Sequence, residues 1–244
     1  MNTPVYIITG FLESGKTKFI SEMLADDGFS EGERTLLLCC EEGEEEYDSK
    51  LLHRTNTVLE PLDEPEDLEK LVELDEKYRP ERVIIEYNST WLLQALYSAK
   101  KPESWDLAQI ITLVDSTTFE IYLKNMRSFM ADGLTEADLV IFNRCTEETT
   151  KSPYRRTVLA MNNTARIFFE NTDGSMDDGV SDEDLPYDVS AKIIEISDTQ
   201  FGVFYLDAME HPDRYDGKTI HVKGRAFRMN GMPKGCFVFG RHAM

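Results

Sequence analysis

The sequence predicts an α/β fold, a mainly parallel sheet flanked by helices, followed by a small β-rich domain. Three observations predict it. Short, continuously apolar runs alternate with segments of helical period through residues 1–170, as expected of strands buried on both faces and joined by crossover helices. The first strand-to-helix turn is a glycine-bounded loop that ends in Lys16-Thr17. Beyond an acidic stretch, apolar and polar residues alternate instead.

Taken in order, the apolar runs place strands at 5–9, 35–40, 82–86, 110–114, 138–143 and 166–169. Amphipathic spacing places helices at 16–25, 64–77, 91–99, 116–130 and 153–161. Residues 1–170 therefore read as one domain. Residues 171–189 are acidic, contain Gly and Pro and offer little to bury, which predicts a solvated linker. Residues 190–244 read as a small β-rich unit, an open barrel or part of one: a strand, an amphipathic helix, a turn, and alternating strands at 218–229 and 235–240.

The chain has 244 residues and a net charge of -20, which argues against nucleic acid as a partner. Its four cysteines, Cys39, Cys40, Cys145 and Cys236, do not form a disulfide framework and read as reduced thiols. No apolar run approaches the ~18 residues of a membrane span. No basic, apolar leader opens the chain, so a cytoplasmic location is expected.

The segment Gly10-Phe11-Leu12-Glu13-Ser14-Gly15-Lys16-Thr17 has the spacing of a phosphate-binding P-loop. Glycines let the backbone turn tightly, and the amides before a helix N-terminus then point at an anion. Gly10, Glu13, Ser14, Gly15, Lys16 and Thr17 are the expected nucleotide contacts, with Lys16 on the β- and γ-phosphates and the Thr17 hydroxyl on Mg²⁺. Cys39 and Cys40, followed by a run of glutamates, are candidate ligands for Zn²⁺ or a related transition metal. Adjacent strand residues point to opposite faces, so at most one would face that glutamate segment.

The GFLxxGKT pattern resembles the CobW-like branch of P-loop GTPases, which includes the nickel-insertion GTPases HypB and UreG. The resemblance runs through most of residues 1–170. Cys39-Cys40-Glu41-Glu42-Gly43-Glu44 stands where the family has a Glu-Asn-Glu-Phe-Gly-Glu switch segment, and Glu86-Tyr87-Asn88-Ser89 where it has Glu-Thr-Ser-Gly. Val114-Asp115-Ser116, Ala137-Asp138 leading to Asn143-Arg144, and Asn162-Asn163-Thr164-Ala165 resemble its remaining motifs. The resemblance implies GTP, or another nucleoside triphosphate, bound with Mg²⁺ and hydrolysed slowly. It further implies a role in metal homeostasis or metal delivery to a receiving protein. On that reading Glu86 supports Mg²⁺ directly or through water, Glu41 or Glu44 orients the attacking water beside Lys16, and Asn143 and Arg144 approach the base.

Three departures bear on this. Thr146 replaces the carboxylate that reads guanine, with Glu147 and Glu148 close by in sequence, so GTP should exceed ATP by less than about tenfold. The family's Cys-x-Cys-Cys metal motif has no counterpart in Asn56-Thr57-Val58-Leu59-Glu60-Pro61. Glu13 replaces a small residue inside the loop and sets a carboxylate near the phosphates. Tyr215-Asp216-Gly217-Lys218-Thr219-Ile220 and Phe237-Val238-Phe239-Gly240-Arg241 resemble an uncharacterised β-rich domain that accompanies predicted permeases. That resemblance implies a continuation past the final strand, and an alternative to the NTPase reading: a degenerate, nucleotide-gated adaptor that docks a membrane permease through residues 190–244.

Overall fold

The computed structural model describes residues 2–30, 32–41, 43–228, 232–233 and 236–240. The expected strand residues Met229 and Gly235 and the motif residue Arg241 lie outside the described residues, as does Glu42 of the switch segment. Two compact units divide at residues 179 and 180.

The first unit is built on an eight-stranded sheet. In chain order its elements are β1 (Thr3–Thr9), α1 (Lys16–Ala25), β2 (Thr35–Cys39), α2 (Ser49–Arg54), β3 (Thr57–Pro61), α3 (Leu71–Tyr78), β4 (Arg82–Glu86) and α4 (Leu93–Ser98). There follow β5 (Trp105–Asp115), α5 (Phe119–Asn125), α6 (Arg127–Glu136), β6 (Leu139–Cys145), α7 (Lys151–Met161), β7 (Arg166–Asn171) and β8 (Met176–Asp177). The strand order is β3-β2-β4-β1-β5-β6-β7-β8, parallel except for the final β7–β8 hairpin. β1 lies between β4 and β5, so the loop that follows it opens in the middle of the sheet.

β4 is buried along its whole length and β2 along all but its last residue, as their unbroken apolar runs require. Leu36, Leu38, Cys40, Val83 and Ile85 pack on one face with α3 and α4 residues. Leu37, Ile84, Ile8 and Ile111 pack on the other against Ile20 and Leu24 of α1. A third cluster joins β6 and β7, where the rings of Phe142 and Phe169 stack at 4.9 Å and Phe119 meets Phe142 edge-on at 5.0 Å.

The structure departs from the sequence reading in several places. β3 is not among the expected strands; it is a half-exposed edge strand with few apolar residues, formed by pairing to β2. The helix expected at 116–130 breaks at Met126, whose backbone leaves the helical region, and continues as α6. Residues 171–189 are not a free linker. Asn171 closes β7, Met176–Asp177 returns as β8, Lys151 pairs with Asp177 at 2.6 Å, and Tyr187 and Val189 are buried in the second unit. Acidic residues hide this order because the backbone and a few side chains provide it.

The second unit is a βαβ element instead of an open barrel. β9 (Ile193–Ile196), α8 (Phe201–Glu210) and β10 (Thr219–Val222) form it, with β9 and β10 parallel. β11 (Arg225–Phe227) and β12 (Val238–Gly240) make a separate antiparallel pair. Ile194, Ile196, Tyr187 and Val189 are its core, and the Tyr187 and Tyr215 hydroxyls meet at 2.8 Å. No helix among the described residues is long and apolar enough to cross a membrane.

Phe142 is wholly buried between Phe119 and Phe169. Phe142→Ala should cost about 3–5 kcal/mol of first-unit stability. Trp91 and Trp105 both lie in that unit, so tryptophan fluorescence in a denaturant titration reports it. A loss below about 1 kcal/mol would mean the aromatic stack is not the core of this half of the sheet.

Candidate nucleotide-binding site

β1 ends at Thr9, and Gly10 turns the chain at φ 140° beside β5. A side chain there would place its Cβ 2.3 Å from the Leu113 carbonyl oxygen and 2.6 Å from Ser14 Oγ, so only glycine fits. The loop reverses through a hydrogen bond from the Ser14 N–H to the Phe11 carbonyl at 3.0 Å, and α1 starts directly after Gly15, at φ 87°. Glu13 adopts φ 63°, the left-handed region that a glycine would enter without cost.

Lys16 is only 4% exposed. Its ammonium donates to the Gly10 carbonyl at 2.8 Å, the Phe11 carbonyl at 3.0 Å and Glu41 Oε2 at 2.5 Å. A carboxylate thus sits against the amine that the motif reserves for phosphate. Beside it, Glu86 ends β4 at 3% exposure. The Thr17 hydroxyl donates to Glu86 Oε1 at 2.9 Å, and the Tyr47 hydroxyl to Oε2 at 2.5 Å. The Cys39 thiol also lies within reach of Oε2, at 3.6 Å, and donates to the Glu41 carbonyl at 3.1 Å. Every one of these partners is neutral. Burial and then the Glu86 charge push the Cys39 thiol up to about 11, and raise the Tyr47 hydroxyl well above its ordinary range.

The switch segment lies across the loop. Glu13 Oε1 accepts the Glu44 N–H at 3.1 Å, so the unusual P-loop carboxylate tethers that segment. The Glu44 side chain is exposed, and the structure does not bring its carboxylate to Lys16 as it does Glu41. Cys40 is not at the site. Strand alternation turns it into the apolar cluster with Leu38 and Leu62, where burial pushes its thiol up. Of the two adjacent thiols, only Cys39 faces the Glu86 carboxylate.

On the opposite side, Asn143 Nδ2 donates to the Ser14 carbonyl at 2.7 Å and joins β6 to the loop. Asn143 Oδ1 and Ser14 Oγ are buried with no hydrogen-bond partner among the described residues. Arg144 sits at φ 54° with its guanidinium on Asp115. Burial would raise Asp115, but hydrogen bonds from Thr117 and Arg144 hold it below the usual carboxylate range. A hollow next to Asn143 is lined by Gly15, Lys18, Phe19, Arg144, Glu170 and Thr172, among others. Thr146 is spent in a turn, its N–H on Thr149 Oγ1 at 2.9 Å and its hydroxyl accepting the Glu148 N–H at 3.3 Å. Ser89, in the place of the expected glycine, is buried with its hydroxyl unpartnered among the described residues. Tyr47 escaped sequence reasoning because it lies in an acidic, aperiodic segment.

Residues 4–169 match the CobW/HypB/UreG nucleotide-binding domain. The chain belongs to the CobW/HypB/UreG family. Its glycine-bounded loop is that family's P-loop, and the first unit is a nucleotide-binding domain. Zinc-bound YjiA GTPase from E. coli shares the fold, at 20% identity and a TM-score of 0.50, over 68% of this chain and 57% of that one. A zinc-bound triple mutant of YjiA gives 21% and 0.51, over 72% and 60%. Nickel-bound HypB from Helicobacter pylori is 14% identical with a TM-score of 0.47, over 91% and 92%. The chain therefore spans less than two thirds of the length of the YjiA structures. No curated protein is similar enough in sequence to be matched to it. The family match ends before the second unit, and nothing in these comparisons supports the permease-associated reading of 190–244.

Two expectations follow from this geometry. Glu13→Gly removes a charge from the phosphate side, relieves the left-handed backbone and cuts the Glu44 tether. Calorimetry should show triphosphate binding tightened by about tenfold; weaker binding would mean the carboxylate helps to hold the bound state. Alkylation at about pH 8 should modify the exposed Cys236 first and leave Cys39, Cys40 and Cys145 largely intact by mass spectrometry, because burial keeps those three thiols protonated. Rapid labelling of Cys39 would contradict its enclosure beside Glu86.

Proposed function

We propose that the first unit binds and slowly hydrolyses a nucleoside triphosphate, with GTP as the family's nucleotide, in the service of metal homeostasis or delivery to a receiving protein in the cytoplasm. The observation that carries this reading is the pairing of a buried P-loop lysine with a Thr17–Glu86 contact at the C-terminal end of the central strands. The residues fit a cation as well as a phosphate. Glu86 is a buried carboxylate whose side-chain partners among the described residues are neutral hydroxyls and a thiol, and buried charges are normally paired or metal-bound.

Thr17 and Glu86 would hold Mg²⁺, whose contribution when bound is to neutralise charge on the β- and γ-phosphate oxygens. The chain supplies the rest. Amides of residues 13–17 receive the phosphate oxygens, and Lys16 exchanges its Glu41 partner for them. Glu41, displaced from the ammonium, is left beside the phosphates as the group that accepts a hydrogen bond from the attacking water. Glu44, exposed on the same segment, is the second candidate for that role. A transition metal handled as cargo finds one thiol here, Cys39, with Glu86 as its oxygen partner. Its uptake displaces the thiol proton, so it strengthens as pH rises toward the Cys39 value of about 11.

Phosphate release by the purified chain is the test, with Lys16→Ala as control. That variant should lose at least about a hundredfold in turnover. Glu41→Gln should separate the two roles of Glu41: binding tightens because Lys16 no longer carries an ion pair, while turnover falls. Equal phosphate release from wild type and Lys16→Ala would reject the hydrolytic reading.

A further inference from the structure

The guanine-reading carboxylate missing at Thr146 has a structural replacement at the end of a different strand. We infer that Glu170, on β7, reads the Watson–Crick edge of the bound base and makes the site guanine-selective. This rests on the nucleotide-binding reading and adds a specificity-determining residue to it.

The β6–β7 ladder brings Glu170 into place. Its register runs as far as Phe142 opposite Phe169 and resumes at Cys145 opposite Asn171. Two residues, Asn143 and Arg144, therefore face one, Glu170, across a bulge of the kind that re-aims side chains beside a site. Phe142 and Phe169 stack on the same face of the sheet. Alternation then puts Asn143 and Glu170 together on the opposite face, where α1 packs. Both line the hollow that begins at Gly15, and Asn143 is bonded to the loop itself through the Ser14 carbonyl. The hollow thus continues from the phosphate loop toward Glu170.

Other carboxylates are less well placed. Glu147 lines a separate hollow with Cys145, Thr146, Lys151 and Asp173. Glu22 shares the hollow with Glu170 but is paired to Lys18 at 3.7 Å. Glu45 also lines the hollow on the phosphate side. Glu170 is half-buried, and its carboxylate has no hydrogen bond or ion pair among the described residues.

The chemistry selects the base. Guanine presents two adjacent donors, N1–H and the 2-amino group, to the two oxygens of an ionised carboxylate, which only accepts. Adenine presents a lone pair at N1, which a carboxylate repels. Hypoxanthine keeps N1–H and lacks the amino group. Xanthine replaces that group with a carbonyl, which a carboxylate rejects and a carboxamide N–H₂ welcomes.

The experiment is a set of calorimetric titrations of the full chain with GDP, ADP, IDP and XDP in Mg²⁺. Wild type should bind GDP about 10- to 100-fold tighter than ADP, in place of the less-than-tenfold preference expected from Thr146 alone, and about tenfold tighter than IDP. Glu170→Gln should weaken GDP about tenfold or more and strengthen XDP, a gain that a damaged fold cannot produce. Glu147→Gln should leave the ranking unchanged. GDP, IDP and ADP binding within a few fold of one another in wild type would overturn the inference. So would Glu170→Gln with an unaltered GDP-to-XDP ratio, or a shift in that ratio from Glu147→Gln. If none of the four binds, the nucleotide-binding reading itself falls.

Discussion

A charge imbalance in one small crevice organises the site. Lys16 and Glu86 are both almost fully buried, and Glu41 lies against the lysine. The lysine and Glu41 neutralise each other. Among the described residues Glu86 is left with hydroxyl and thiol partners, and no cation pairs with it. Desolvating a carboxylate is costly unless a counter-charge arrives. The same arrangement accounts for the raised thiol of Cys39, and it is the feature on which the proposed exchange of Glu41 for phosphate and the proposed cation site both rest.

Sheet topology produces that crevice. β1 lies at the centre with β4 on one side and β5 on the other, and their C-terminal ends hold Gly10, Glu86 and Asp115. Ligands in open α/β sheets collect at such ends because the loops there diverge above the strands. Gly10 allows the loop to pass so close to the Leu113 carbonyl that any Cβ would collide. Without this close approach the Lys16 ammonium would not reach the carbonyls of residues 10 and 11. An overall charge of -20 need not oppose a phosphate at the P-loop, because amides before a helix N-terminus and a buried lysine set the local field there instead of the bulk surface.

This chain modifies the family pattern at the two ends of the nucleotide site. At the phosphate end, Glu13 takes a left-handed backbone position and holds the switch segment through the Glu44 amide. At the base end, Thr146 is turned into its own local hydrogen-bond network. At both positions the side chain is engaged in a contact within the protein: Glu13 with the Glu44 amide, Thr146 with Thr149 and Glu148.

The sequence alone determined the elements whose signal is local. Unbroken apolar runs marked β1, β2, β4 and the cores of β5 to β7, and the Gly10–Thr17 spacing located the phosphate loop with the boundaries of α1. Lys16 and Thr17 are singled out by the P-loop spacing, whereas Glu86 and Asn143 are singled out only through the family resemblance of the segments that hold them. The tertiary structure decided what depends on neighbours. β3 exists because β2 offers it an edge, and β8 because β7 does; neither has enough apolar residues to declare itself. The small β-rich unit is present as β9 to β12, but that β9 and β10 pair in parallel around α8 was decided by the tertiary structure. Alternation about the end of β2 settled that Cys39 meets Glu86 while Cys40 enters the core. The placement of Glu170 beside Asn143 likewise arises from a ladder between residues far apart in the chain, and long-range pairings of that kind leave no periodic trace in the sequence.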